Sequence, residues 1–532
     1  MSSPPLPHHT SPSLTLVIAT AAENISQSLA NSIEWGGPLK KEVYLRREEH
    51  LSQQDLTRNG GLTAWMLIDT STAQSESESS SSSSSSSSNK EESEKRGRIL
   101  CGCETIRKRA LVRSPDGQVK DVVAYGVCSV FCREEFRGKG YAGRMMEELG
   151  KKLSSLGSSS PSTTSAGGHL SVVGTQRPLF SVLFSDIGKQ FYASKGWKPF
   201  PSTHITLPPG YTDDPPFPPL TSQSQDNNAN SDLPTPTLLS PSDLPPLCSL
   251  DEKALRSRLS NLPPSTTTHT IVSLIPDHAT IAWHHARENF LSKNFLHLNA
   301  EPEIKGALVT INLPSSMQKE GKEVRIWCYF LRNFTTNTPQ DPNTLFILRW
   351  GSDDEKVAGL LQAPGSFAGK NLSTKTTSAD AADADESSEN DDDDAIVLAL
   401  QSLLLTARFQ AYEWGMREIK IWSPSGIIVE AVGKVMERAE RSEAERSEDT
   451  GRSEGGEAAR ESEGDGKTAS DEGKAVEEEE EQEILEKLKR VEVITRERES
   501  IGCLRWFGDA PSEERNVHAD VEWWGNEKFG WC

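Results

Sequence analysis

Long apolar runs are missing from this 532-residue chain. No stretch approaches the roughly 18 consecutive apolar residues that a membrane-spanning helix needs. Met1–Ser13 is polar and proline-rich, and Leu14–Ala19 is too short for the apolar centre of a secretory leader. Metal-ligand spacing is missing as well. Cys101 and Cys103 form C-x-C without a second ligand pair, and the adjacent His284 and His285 point to different faces of a helix. The eight scattered cysteines then read as free thiols in a reducing, intracellular compartment, and the expected location is the cytoplasm. A basic excess is also lacking: 57 Lys and Arg stand against 78 Asp and Glu, for a net charge of −21. Nearly all of that is local. Asp380–Asp394 contributes about −9 and Glu437–Glu481 about −11. The remainder is close to neutral, which argues against nucleic acid as a main partner.

What is present is uneven. The serine run around Ser75–Ser88, the Pro/Ser/Asn tract Pro208–Pro246 and the two acidic tracts cannot bury a core, and they read as disordered inserts and linkers. Between them the strand and helix patterns fall into two blocks. Strands are expected at Leu14–Ala19, Thr63–Asp69, Ile99–Val112, Asp121–Val130, Ser181–Ser185 and His204–Leu207, with helices at Glu23–Trp35, Tyr141–Leu153 and Ile187–Lys195. That places a first domain over 14–207 with an insert at 70–97, a linker over 208–246 and a second domain over 247–532 with inserts at 365–394 and 437–481. The second domain is expected to open with a helix at Leu250–Leu262 capped by Ser249 and Glu252. Three strands, a helix, the strand Glu418–Trp422, a helix and the late strand Ser500–Phe507 follow. The tryptophan-rich tail Val517–Cys532 reads as a docked segment.

The most informative stretch is Val122–Leu153. A strand runs into Arg137-Gly138-Lys139-Gly140-Tyr141-Ala142-Gly143 and then into a helix with Met145, Met146, Leu149 and Leu153 at helical spacing. Such a turn aims free backbone N–H groups and the positive end of a helix dipole at one point, where a phosphate is the usual guest. Two readings with a ligand compete with a plain turn. Gly138, Gly140 and Gly143 spell the dinucleotide pattern, but the window Gly157–Ser165 lacks the carboxylate that would hold a ribose. The other reading is R-x-x-G-x-A, Arg137 to Ala142.

That motif resembles the pyrophosphate loop of the GCN5-related N-acetyltransferases, which use acetyl-CoA. Phe191-Tyr192-Ala193-Ser194-Lys195-Gly196-Trp197 resembles the same superfamily's Y-x-x-x-G-F/W signature. Blocks at Arg47–Leu51, Gly60–Asp69, Cys103–Val112, Phe184–Trp197 and His518–Trp524 resemble the fungal lysine N6-acetyltransferases of lysine catabolism. The resemblance implies an α/β (α+β) fold: a mixed central sheet flanked by helices, then a second, degenerate acetyltransferase-like domain. Its counterpart of the phosphate loop is expected at Gly365–Asp394, where Asp391–Asp394 would repel phosphate. The implied activity is transfer of acetyl from acetyl-CoA to the side-chain amine of free lysine, with no metal. A protein-lysine acetyltransferase and a non-catalytic acetyl-CoA-binding scaffold are the alternatives.

The resemblance assigns the CoA pyrophosphate to Arg137, Gly138, Lys139, Gly140, Tyr141, Ala142 and Gly143, and the pantetheine arm to Val130, Phe131 and Cys132. It assigns protonation of the leaving thiolate to Tyr192. Lysine's ammonium, with a pKa of about 10.4, must lose a proton before it attacks. Glu104 and Asp186 are the candidate acceptors. Arg46, Arg47 and Arg107 are candidates to hold a substrate carboxylate.

Overall fold

The computed structural model describes residues 5–73, 96–156, 177–210, 233–263, 269–294, 301–313, 322–362, 386–453, 491–508 and 521–531. The serine run at 75–88, the window 157–165 and most of 365–394 lie outside them.

In chain order the first elements are β1 (Leu14–Ile18), α1 (Ala21–Trp35), α2 (Lys41–Ser52), β2 (Leu62–Asp69), β3 (Arg98–Arg113), β4 (Val119–Cys132), α3 (Tyr141–Ser155), β5 (Phe180–Ser185), α4 (Gln190–Ala193) and β6 (Lys198–Pro199). Next come β7 (Thr203–Leu207), β8 (Thr237–Leu239), α5 (Leu244–Asn261), β9 (Thr270–Leu274), α6 (His278–Asn294), β10 (Gly306–Leu313), β11 (Lys322–Asn333) and β12 (Thr344–Ser352). The last are α7 (Glu355–Gln362), α8 (Glu386–Glu413), β13 (Glu418–Trp422), α9 (Gly426–Ser453), β14 (Ile494–Thr495), β15 (Ile501–Trp506) and β16 (Val521–Trp524).

They form two compact units. The first comprises Met1–Ser202, Arg256–Glu301 and Thr495–Cys532, and the second Thr203–Leu255 and Pro302–Ile494. Each is a mixed sheet with helices. The first sheet runs β1-β2-β3-β4-β5-β15-β6, with β9 and β16 added beside the far end of β3. Alternation along β3 makes its two faces. Cys101 and Cys103 join Met145, Met146, Leu149 and Leu153 of α3, whereas Ile106 joins Leu51 of α2 and Trp283 of α6. Burying each such large apolar side chain stabilises the fold by about 1.5–3 kcal/mol.

Two irregularities shape the middle of this sheet. Gly102 faces Phe131 but Glu104 faces Cys128, so β4 carries one extra residue, and Ser129 there has φ +52°. A bulge of this kind bends its strand. Parallel pairing of β4 with β5 stops at Val127–Leu183, while β4 runs on to Cys132. A gap therefore opens between two neighbouring strands. The other edge of β5 is closed by β15, antiparallel from Ile501–Ser185 to Trp506–Phe180.

The second sheet runs β8-β10-β11-β12-β13-β7-β14. Its plan repeats the first: antiparallel β8-β10-β11-β12, a parallel β13, then an antiparallel β7. The duplication expected from sequence is thus visible in the strand order. Asp392–Glu413 within α8 is apolar enough by composition to cross a membrane, contrary to the expectation of no such stretch. However, 72% of that window is buried inside the protein.

Several boundaries differ from those read in the sequence. His204–Leu207 pairs with β13 in the second unit, and Ile501–Trp506 lies in the first. The units are therefore interleaved in sequence and not split at 207. The Trp-rich tail belongs to the first unit, with Val521–Trp524 paired to β9. Local sequence shows that a segment is a strand, but its partner is set by which sheet edge is open. Residues 237–246, read as linker, include β8 and the start of α5. Ser249 does not cap α5; it lies inside the helix, with its hydroxyl donating to the Pro245 carbonyl at 3.0 Å. Pro245 and Pro246 fit the first turn, where no N–H is needed. Asp391–Asp394 belongs to α8, and α9 carries the start of the second acidic tract as far as Ser453.

Gly150 on α3 allows Arg505 of β15 to cross the helix. The Arg505 guanidinium lies 4.9 Å from the Trp197 ring centroid and donates to the Lys195 carbonyl at 2.8 Å. An added Cβ at Gly150 would overlap it. Gly150→Ala should cost about 1–3 kcal/mol, seen as a lower thermal midpoint. An unchanged midpoint would mean that Arg505 is not needed there.

Candidate active site

The loop between β4 and α3 is held open by its backbone. Gly138 has φ +74° and Gly140 φ +83°, conformations that penalise any residue with a Cβ. The six consecutive N–H groups from Gly138 to Gly143 donate to no acceptor among the described residues. They form an anion cradle at the start of a helix of 15 residues. The N-terminal stretch is pinned beside it. The Tyr141 hydroxyl donates to the Pro7 carbonyl at 2.5 Å, and a Cβ at Gly140 would come within 2.8 Å of His9 Cγ. Ala142 sits in the first turn, and Gly143 faces the Lys195 arm. Arg137 folds back: its Nε donates to the Cys132 carbonyl at 3.1 Å, and its guanidinium lies 5.1 Å from the Phe131 ring. Lys139 Nζ donates to the Glu135 carbonyl at 2.9 Å.

Val130, Phe131 and Cys132 lie on β4 beyond the point where β5 leaves it. Phe131 is buried, its ring edge-on to Trp35 at 5.8 Å, and its carbonyl accepts from Gln27 Nε2 at 3.3 Å. The Cys132 thiol is held below its usual range, chiefly by a hydrogen bond with Cys101 and further by Arg137.

Glu104 and Tyr192 belong to opposite faces of the sheet. Tyr192 sits with Cys103, Val127, Leu183 and Cys503 on the α3 side. Burial, then Asp186, pushes its phenol pKa up, so it is a protonated donor at neutral pH. Among the described residues its hydroxyl has no hydrogen-bond partner, which leaves it available to a ligand. Glu104 pairs with Cys128 on the face carrying Ile106 and α2. Its carboxylate accepts from Ser129 Oγ at 2.6 Å, so the bulge residue also holds the acid. Burial, then the Glu48 charge, pushes its pKa up from 4.5 to about 7, against the Ser129 hydrogen bond and Arg47. Glu104 is deeply enclosed yet keeps part of its surface accessible, as a side chain lining a cleft does. Asp186 is exposed and accepts from the Ser500 N–H at 2.9 Å, which shapes the turn into β15.

The three candidate arginines are separated. Arg46 is exposed on α2, and Arg107 is paired with Tyr125 on the α3 side. Arg47 is buried near Glu104. It donates through Nε to Glu48 Oε1 at 2.8 Å and lies 4.4 Å over the Tyr44 ring. Sequence reasoning missed Tyr44, Glu48, Ser129 and Arg287. Spacing of i, i+3 and i+4 in α2 puts Tyr44, Arg47 and Glu48 on one face, a signal that was there to be read. Nothing local marks Arg287 of α6, which lies 5.8 Å from the Trp531 ring centroid. Burial, then Arg47, pushes its pKa down to about 10. The neighbouring His284 is buried, with its Nε2 3.0 Å from the Phe529 carbonyl. No cluster of three or more metal-ligating side chains occurs among the described residues.

The counterpart of the phosphate loop expected at Gly365–Asp394 lies mostly outside the described residues. Directly after β12, the strand that corresponds to β4, the turn is capped by Asp354, whose Oδ1 accepts from the Val357 N–H at 2.9 Å.

The profile of the LYC1 GNAT-like C-terminal domain family matches residues 219–532, more than half of the chain. The chain belongs to this family. The family's name marks this domain as like the GCN5-related N-acetyltransferases. This LYC1 GNAT-like chain is similar to a lysine acetyltransferase of Yarrowia lipolytica (strain CLIB 122 / E 150), with 34% identity over 106 residues, 19% of this chain and 25% of that protein. The chain thus spans about a quarter of the length of the curated relative it matches. Among solved structures it is similar to a probable N-acyltransferase of Enterococcus faecalis V583, with 9% identity, 77% of this chain and 64% of that one covered, and a TM-score of 0.37. It is also similar to N-myristoyltransferase of Saccharomyces cerevisiae, with 12% identity, coverage of 79% and 76%, and a TM-score of 0.35.

In this LYC1 GNAT-like chain, Gly140→Ala should strain the cradle by about 1–2 kcal/mol and press on His9. CoA affinity measured by calorimetry should fall about 10-fold, and the thermal midpoint should fall by a few degrees. Unchanged affinity would remove the loop from the CoA site.

Proposed function

We propose that the protein is an acetyl-CoA-dependent N-acetyltransferase that acts on the side-chain amine of a free amino acid, with L-lysine the favoured acceptor, as in amino-acid catabolism. The observation that carries this is the placement of Glu104 and Tyr192 on opposite faces of the sheet beside the β4–β5 gap, next to a cradle of six open N–H groups. Family membership and the partial likeness to a lysine acetyltransferase support it. A reducing, cytoplasmic setting is part of the same proposal.

Each residue then has a role. The N–H groups of Gly138–Gly143 receive the pyrophosphate, with Arg137 and Lys139 as nearby positive charges. The edge of β4 at Val130–Cys132, left by β5, offers backbone groups to the pantetheine arm as to an added strand. The thioester carbonyl reaches the gap, where a backbone N–H of the bulged segment can stabilise the oxyanion. Glu104, about half ionised near pH 7 by its raised pKa, accepts the proton of the incoming ammonium, directly or through water. The amine attacks from the α2 side. Collapse of the tetrahedral intermediate breaks the C–S bond toward the α3 side, Tyr192 protonates the departing thiolate, and the second proton of the attacking nitrogen leaves to solvent, from which the phenol is restored. Base and acid on opposite faces of the sheet keep the two proton transfers apart. Asp186, tied to Ser500, is the weaker choice of base.

Thiol release from acetyl-CoA with L-lysine, a panel of amines and a basic peptide tests the reading. Lysine-dependent release is expected. Release with the peptide alone would shift the assignment to protein lysines, and binding without release would indicate a scaffold. kcat should rise with pH through about 7 as Glu104 ionises. Glu104→Gln should remove that limb and lower kcat by about 10²–10⁴-fold. Tyr192→Phe should lower kcat with little change in CoA affinity.

The raised pKa also has a stability consequence. A carboxyl group raised from 4.5 to about 7 favours the fold below its unfolded pKa and loses that contribution as pH rises through the folded one. Glu104→Gln should therefore melt above wild type at pH 8 and close to it at pH 5. The same midpoint difference at both values would show that Glu104 is not buried as a neutral acid.

A further inference from the structure

Cys101 of β3 and Cys132 of β4 stand directly opposite each other. The Arg133 N–H donates to the Leu100 carbonyl at 3.4 Å. That bond joins the residues flanking the two cysteines, which makes them a non-hydrogen-bonded antiparallel pair. Side chains come closest in such a pair, where the Cα atoms are about 4.5 Å apart. A disulfide spans roughly 4.4–6.8 Å between Cα atoms. Both side chains lie on the α3 face, Cys101 inside the core cluster and Cys132 packed against it. Both cysteines are free, and their thiols are hydrogen-bonded to each other.

Their surroundings differ. Cys101 is fully buried, whereas Cys132 is half-buried at the end of β4, past its last pairing with β5. Burial pushes the Cys101 thiol up, and the hydrogen bond with Cys132 adds to this. The proton between them therefore stays on Cys101, and negative charge is favoured on Cys132. Arg137 and Lys139 act in the same sense there, with Glu135 opposing them. Cys132 Sγ also lies 3.8 Å from the Leu100 carbonyl oxygen, a weak contact. Cys103, Cys328 and Cys503 show the ordinary case: each is buried, and burial pushes its thiol up. Packing explains them as small apolar side chains. It does not explain an accessible thiol beside two cations with a second sulfur in contact. An attacking thiolate with a resolving thiol at hand is the arrangement that thiol–disulfide exchange requires.

We propose that Cys132 and Cys101 form a redox-active thiol pair that exchanges with a low-molecular-weight disulfide such as oxidised glutathione and closes into a cross-strand disulfide. The Cys132 thiolate attacks one sulfur of the glutathione disulfide. That S–S bond breaks, one glutathione leaves as its thiolate, and Cys132 carries the other as a mixed disulfide. Cys101 then attacks the Cys132 sulfur, its proton passing to the glutathione thiolate that is expelled. The two protein thiols are oxidised, and one glutathione disulfide is reduced to two glutathione thiols. Arg137 and Lys139 suit an anionic reagent of this kind. In a reducing compartment the pair stays open, and it closes when the disulfide pool rises. The pair rests on two hydrogen-bonded strands and stands apart from the acetyl-transfer reading.

Full-length reduced protein exposed to oxidised glutathione, then unfolded in iodoacetamide and digested, tests the pair by mass spectrometry. A peptide linking Cys101 to Cys132 is expected, reversible by dithiothreitol, with Cys103 and Cys503 alkylated. In Cys101→Ser, Cys132 should stop at the glutathione adduct. In Cys132→Ser, Cys101 should remain a thiol. Brief iodoacetamide treatment of the folded wild-type protein should label Cys132 at least about 10-fold faster than Cys103. The thermal midpoint reports that each variant is folded, and Cys101→Ala replaces Cys101→Ser if the buried hydroxyl prevents folding. A lasting glutathione adduct on Cys132 in the wild-type protein, linkage of Cys132 to another cysteine, or labelling of Cys132 no faster than Cys103 would overturn the pair.

Discussion

Parallel hydrogen bonding between β4 and β5 lasts from Ala124–Phe180 to Val127–Leu183 and then gives way. The cause lies on the other side of β4, where the extra residue against β3 and the left-handed Ser129 bend the strand away. Backbone groups of β4 past Val127 are left without a neighbouring strand on that side. Water or a ligand must meet them, because backbone polar groups shut away unpaired are costly. The same bend turns Ser129 toward Glu104 and leads β4 into the glycine turn. The gap, the Ser129–Glu104 contact and the entry into the glycine turn thus follow from one local distortion of β4.

The sequence made parts of this legible for definite reasons. Gly138 and Gly140 were readable because positive φ selects glycine at specific positions, and α3 was readable because Met145, Met146, Leu149 and Leu153 repeat at helical spacing. Tyr192 was recognised through a motif in which a short helix ends at Gly196, whose φ is +93°. Pairing was not legible. β7 and β15 are both short alternating strands, and nothing in Thr203–Leu207 or Ile501–Trp506 says which sheet each joins. Glu104 was one of two candidate carboxylates in the sequence, and burial separates it from the exposed Asp186. Arg287 was hidden because its place near Arg47 and Glu48 depends on the packing of α6 against α2, between segments far apart in the chain.

The two units use one strand plan with different chemistry at the same place. After β4 the chain spends glycines and leaves N–H groups open. After β12 it places Asp353, Asp354 and Glu355, and Asp354 satisfies the helix start from within. Self-capping stabilises a helix by about 1 kcal/mol and removes a place for an anion. The second unit keeps a buried ion pair instead, Arg349 with Asp251 at 2.8 Å. Such a pair fixes how α5 lies on β12, and it leaves neither charge available to a ligand.

β15 closes the free edge of β5 from far along the chain: the hydrogen bond between Ser500 and Asp186 spans 314 residues. During synthesis β5 therefore emerges long before its neighbour. At the usual pace of elongation the delay is roughly 15–60 s, the time in which nearly all of the second unit is made. Throughout that interval the β5 edge and the apolar surface awaiting Ile501 and Cys503 stay uncovered, as aggregation-prone as any unpaired strand. The first unit is thus completed only after the second has been made, so its maturation in the cell depends on whatever shields that edge until then.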